Sequence, residues 1–182
     1  MVNIYKLKLT ILQQEILRFL FVNAGMTFNA RALARELEVS QPAISKSLPA
    51  IEKISYIKVK KDKRSKRLSI ELNRDNPLVT GLKRSENLKM FYESGLAGYL
   101  SDRFPGCTII LFGSYSIGED IIRSDVDVAV IGAKEKELEM ERFENMLKKR
   151  VIVQFYPNFK NIHRHLKENI FNGILIKGGI EL

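Results

Sequence analysis

Four residues within fifteen positions carry the chemistry open to this chain. Gly113 and Ser114 end the apolar run "CTIILF", and after ten intervening residues Asp125 and Asp127 alternate with valine in "DVDVAVIG". Aspartate is a poor strand former, so two of them in a Val-rich segment need a reason. On a strand, residues two apart share a face with Cα atoms about 6.5 to 7 Å apart, so these carboxylates project side by side. Adjacent anions repel unless cations lie between them. A pair of Mg²⁺ ions about 3.5 to 4 Å apart, or Mn²⁺ in their place, satisfies both carboxylates and clamps the phosphates of an NTP for in-line displacement. The Gly-Ser step supplies the complementary half. Glycine allows close backbone approach, a helix N-terminus offers N–H donors, and the Ser114 hydroxyl adds a donor for a terminal phosphate. Phosphoryl transfer depends more on such positioning of charge than on a covalent nucleophile.

These residues need a sheet, and the flanking pattern supplies one. After "RFPG" the sequence predicts a strand at about 107 to 112, a short helix after Gly113-Ser114, and a strand at about 125 to 131. An acidic helix at about 135 to 148, a strand at about 150 to 156, a helix at about 159 to 170 and a last apolar piece, "GILIKGG", follow. This alternation reads as a small mixed sheet flanked by helices, within an α+β chain. Upstream, Leu82, Leu88, Phe91, Leu96 and Leu100 predict one helix broken near Ser94-Gly95.

The stretch from Gly113-Ser114 to Asp125-Val126-Asp127 closely resembles the signature of the DNA polymerase β superfamily, in its minimal nucleotidyltransferase branch, over roughly residues 78 to 180. A P-loop is the main competitor. It fails because Glu119-Asp120 stand where that motif needs Lys and Ser/Thr. The resemblance implies a Mg²⁺-dependent transfer of NMP from an NTP to a hydroxyl, with Asp125 and Asp127 as catalytic metal ligands and Gly113 and Ser114 on the nucleotide. The family also carries a third carboxylate on the strand after the next helix, credited with activating the attacking hydroxyl. Here that strand reads "RVIVQFYP" and holds no acid. Gln154 is its polar interior residue, and an amide neither takes a proton at neutral pH nor ligates Mg²⁺ with full charge. Glu144 and Glu168 flank it on predicted helices as solvated residues.

Charge separates this part from the rest. Of the formal +9 of the 182-residue chain, residues 1 to 75 hold +8, with 15 Lys/Arg against 7 Asp/Glu. We therefore expect two domains, 1 to 75 and 76 to 182, the first facing a polyanion. Apolar residues at helical spacing predict three helices: one after Thr10, one after a cap at Thr27 or Asn29, and one, "QPAISKSLPAIEKI", capped by Ser40. Pro49 is expected to kink or end the third. "YIKVK", the tip "KDKRSK" and "RLSIELN" then form a hairpin. Three helices and a basic hairpin resemble the winged helix-turn-helix over roughly residues 9 to 73. The resemblance implies binding to double-stranded DNA, with Gln41, Ser45 and Lys46 near base edges and Lys60, Lys61, Lys63, Arg64, Lys66 and Arg67 on phosphates. Seven Lys/Arg lie between residues 58 and 67 against Asp62 alone, which favours DNA over a merely solvated hairpin edge.

The remaining features are quieter. Cys107 begins a predicted strand and suits packing in a reducing cytoplasm. No apolar run reaches the roughly 20 residues of a membrane span, and "MVNIYKLKLT" lacks a signal-peptide core, so a cytoplasmic chain without membrane association is expected. His163 and His165, two apart on a predicted helix, should point to different faces. Two functions stay open: a DNA-targeted nucleotidyltransferase, or a catalytically silent transcriptional regulator that uses the same fold to sense nucleotide or hold a partner. A homo-oligomer or a protein partner fits either.

Overall fold

The computed structural model describes residues 9–62 and 68–180. The chain divides into two compact units, Met1–Val79 and Thr80–Leu182.

The first unit opens with α1 (Ile11–Val22), held at its start by a reciprocal capping box in which Gln13 N–H donates to Thr10 Oγ1 and Thr10 N–H to Gln13 Oε1. Asn29, not Thr27, caps α2 (Ala30–Glu36), accepting from Ala32 N–H at 2.9 Å. Ser40 caps α3 (Gln41–Lys53). Of the two outcomes expected at Pro49, a kink or an end, the end does not occur: Pro49 lies inside α3, which continues to Lys53. Pro49 and Ser45, whose carbonyl loses its helical donor, are both exposed, so water can replace the missing bond. Strands β1 (Ile57–Lys61) and β2 (Leu68–Leu72) pair antiparallel, and Phe28 bridges to Ile70 as a short third rung. Ile16, Leu20, Leu33, Ile44, Ile51 and Ile70 are all fully buried in one core. Each such side chain contributes roughly 1.5–3 kcal/mol, so Ile44→Ala would cost about 2–5 kcal/mol. This is a winged helix-turn-helix.

The division between units falls within α4 (Pro77–Glu93), which ends where Gly95, at φ 80, redirects the chain into α5 (Leu96–Arg103). Then follow β3 (Thr108–Phe112), α6 (Gly113–Ile117), β4 (Val126–Ile131), α7 (Glu141–Leu147), β5 (Val151–Tyr156), a 3₁₀ turn (Phe159–Asn161), α8 (Arg164–Phe171) and β6 (Ile174–Lys177). The sheet order is β5-β4-β3-β6, with β4 and β5 parallel and both other pairs antiparallel. One face of the sheet, with Ile109, Leu111, Val126, Val128 and Val130, packs with Phe91, Leu96, Phe143 and Leu147. The other, with Ile110, Phe112, Ala129 and Ile131, packs with Ile162 and Ile170.

Two helices differ from expectation. The acidic helix starts at Glu141 rather than near 135, because Leu138 and Met140 pack on the core at a two-residue spacing and Glu139 N–H donates to the Tyr99 hydroxyl. Extended contacts there override helix propensity. The helix expected at 159 to 170 is split, since Asn158 caps the 3₁₀ turn through Lys160 and Asn161 N–H and α8 begins only at Arg164.

Candidate functional site

The antiparallel register of β3 and β4 sets Asp127 opposite Phe112, the residue just before Gly113. Gly113 has φ 73, a left-handed conformation that ordinary side chains avoid. A Cβ there would lie 2.6 Å from Asp127 Oδ2. Only glycine therefore lets the chain turn into α6 with the carboxylate against its backbone. Ser114 stands in the first turn of α6, half-buried. Asp125 lies one residue before β4, also half-buried. Burial first, and the neighbouring Asp125 charge second, hold the Asp127 carboxyl above the usual carboxylate range. The fold thus brings Gly113, Ser114, Asp125 and Asp127 together at one end of β3 and β4.

Two neighbouring carboxylates, one of them with its proton affinity raised, form a hard-oxygen donor pair suited to Mg²⁺ or Mn²⁺, and a cation between them would reverse the Asp127 shift. Among the described residues, no three His, Cys, Asp or Glu side chains gather into a larger set. The register also fixes where Gln154 stands relative to Asp127. On parallel β5 the residue in line with Asp127 is Ile152, whereas Gln154 lies beside Ala129 and accepts the Tyr156 hydroxyl at 2.6 Å. Gln154 shares the face of Asp127 but stands one side-chain step further along it. Glu144, expected to be solvated, is half-buried and accepts from Val151 N–H at 2.9 Å, capping the start of β5. Glu168 is exposed. His163 precedes α8 rather than lying within it, so His163 and His165 stack at 5.7 Å instead of facing apart.

In the first unit, Gln41 and Ser45 of α3 and Lys61 of β1 meet Asn29 and Arg31 around a cavity of about 610 Å³. Lys46 is exposed but does not line it; Lys60 is exposed and lies 3.8 Å from Glu71. Lys63, Arg64, Lys66 and Arg67 lie outside the described residues. Sequence reasoning missed Asn29, Arg31 and Arg35. Their signal was present, since Arg31 and Arg35 stand four apart on a predicted helix, and both line a second cavity with Asn29.

No curated protein matches the chain. Similar solved structures include the adhesin competence repressor AdcR from Streptococcus pyogenes, 22% identical with a TM-score of 0.42 over 56% of this chain and 71% of that one. Lactococcus lactis ZitR, a zinc-responsive MarR family member, is 21% identical with a TM-score of 0.38 over 55% and 66%. S. aureus MepR, in complex with DNA, is 19% identical with a TM-score of 0.38 over 52% and 77%. At these values the likenesses carry no argument about ligands. The family described as nucleotidyltransferase domain matches residues 93–176, and because that span contains the Gly-Ser turn and the Asp-x-Asp pair, the unit that follows the winged helix-turn-helix is a nucleotidyltransferase domain.

Proposed function

We propose that the protein is a cytoplasmic DNA-binding regulator whose nucleotidyltransferase domain binds an NTP with Mg²⁺ or Mn²⁺, and transfers NMP slowly if at all. Asp125 and Asp127 would hold the metal, and Gly113 and Ser114 the phosphates. The observation that supports this reading is the close approach of Asp127 to the side-chain-free backbone of Gly113, which would let a metal on the carboxylate and phosphates on the turn share one place. When bound, the metal supplies charge neutralisation for the phosphates. Slow transfer follows from β5, where apolar Ile152 faces the position a general base would use beside Asp127. DNA binding is supported by the net +8 of residues 1 to 75 and by the polar cavity that gathers Arg31, Gln41, Ser45 and Lys61.

The reading is tested by calorimetric titration of the full chain with each NTP, with and without Mg²⁺, alongside a labelled-NTP transfer assay. Metal-dependent binding with little transfer is expected. Equal affinity with and without metal would remove the metal site, and rapid transfer would restore the enzyme reading.

A further inference from the structure

The second unit also buries a charged cluster that neither metal nor phosphate binding uses. Lys83 of α4, Asp120 after α6 and Lys149 before β5 have side chains only 2%, 0% and 2% exposed. Lys83 Nζ lies 2.5 Å from Asp120 Oδ1, and Lys149 Nζ lies 3.0 Å from Oδ2. Asn87 Nδ2 donates to Asp120 Oδ1 at 2.7 Å and to the Tyr115 carbonyl at 2.9 Å, while the Tyr115 hydroxyl donates back to the Asn87 carbonyl at 3.0 Å. Burial, then the Asp120 and Glu86 charges, keep that hydroxyl protonated well above its ordinary range.

One lysine would neutralise one aspartate. A second buried lysine is costly to desolvate unless it is well bonded. What Lys149 adds is a grip on the backbone: its Nζ donates to the Ile121 carbonyl at 2.6 Å, and toward Asp120 Oδ2 it makes an ion pair without hydrogen-bond alignment. The chain from Gly113 to Asp125 is thereby tied down along its length. Tyr115 is held by Asn87, and Gly118 packs so closely on α4 that a Cβ would meet the Thr80 carbonyl at 2.4 Å. Beyond these, Asp120 is held by Lys83 and Ile121 by Lys149, and Val126 N–H donates to the Arg150 carbonyl next to Lys149. The two ends of this segment are the Gly113-Ser114 turn and Asp125.

We propose that Lys149 is a positioning residue of the nucleotide site: anchored through Asp120 to α4, it fixes the segment after α6 and so sets Asp125 relative to Gly113 and Ser114. The proposal rests on the reading of that site given above. Asp120 is the intermediary, and the desolvation of Lys149 is the cost of fixing the segment after α6.

The test measures amide hydrogen exchange and Mg-ATP affinity in the full chain for Lys149→Met and Lys149→Arg. In Lys149→Met the carboxylate keeps Lys83 and Asn87, so the sheet should persist. Exchange across residues 113–125 should rise about tenfold while β3 and β4 stay unchanged, and Mg-ATP affinity should fall about tenfold. Lys149→Arg, which can still donate to both partners, should recover both. Should Lys149→Met not fold, Lys149→Gln, one bond shorter and uncharged, should show the same local acceleration. Unchanged exchange in 113–125, or an equal rise in β4, would overturn the proposal. A wild-type chain that does not bind Mg-ATP would instead overturn the reading of the site, and the exchange pattern would still decide the role of Lys149.

Discussion

Asp127 Oδ2 occupies space that a Cβ on Gly113 would need, at a separation of 2.6 Å, so the Asp127 carboxylate and the Gly113-Ser114 turn exclude any side chain between them. Gly113→Ala should therefore combine two penalties, a left-handed backbone cost of roughly 1–2 kcal/mol and displacement of Asp127. Gly95→Ala provides the control, because Gly95 has φ 80 but nothing within 4 Å of a Cβ. Both variants should melt earlier than wild type. Only Gly113→Ala should lose Mg²⁺-dependent NTP binding, and equal loss in both would refute the close-contact explanation.

Asp127 gives a pH dependence of defined sign. Its carboxyl titrates above the ordinary range in the folded chain, so across the window between the ordinary value and the raised one the folded state binds more protons than the unfolded state. Its contribution to stability then declines as pH rises through that window and is least favourable above it. Asp127→Asn should melt higher than metal-free wild type at neutral pH, with the difference closing in acid. Added Mg²⁺ should raise the wild type alone. Melting curves at several pH values, with and without the metal, check this.

Ile152 is the position to restore a base. Because it is in register with Asp127, Ile152→Asp would set a third carboxylate beside the pair, at some cost in stability from a half-buried charge. Labelled NMP transfer should rise by as much as about 10² to 10⁴. Gln154→Asp, displaced along β5 by about 6.5 to 7 Å, should gain far less. The opposite ranking would mean that the register of β5 does not set the site.

For DNA, the affinity of the full chain should fall with salt at a log–log slope of about −0.9 per phosphate neutralised. Replacing Lys63, Arg64, Lys66 and Arg67 by Ala should flatten that slope. Gln41→Ala should weaken binding to a preferred sequence with little effect on the slope, as expected of a base contact rather than a phosphate contact. Titration of labelled duplex by fluorescence anisotropy at several salt concentrations separates the two effects.

Much of this molecule is local and therefore written in the chain. Thr10, Asn29 and Ser40 cap the helices that follow them, the alternation of Leu68, Ile70 and Leu72 makes a strand, and the spacing of Gly113-Ser114 to Asp125-Val126-Asp127 marks the candidate site. Each depends on residues a few positions apart, so periodicity and cap chemistry are sufficient to read it. The misreadings have a common origin. Whether residues 135 to 140 coil into a helix was decided by Tyr99, some forty residues away, and whether Pro49 ends α3 was decided by which side of the helix faces water. Which residue of "RVIVQFYP" stands beside Asp127 depends on the pairing of β4 with β5, and a strand's own pattern specifies its two faces but not its sliding against a neighbour. Asp120 and its two lysines could not be found at all, because Lys83, Asp120 and Lys149 are ordinary charged residues until tertiary packing takes water away from all three.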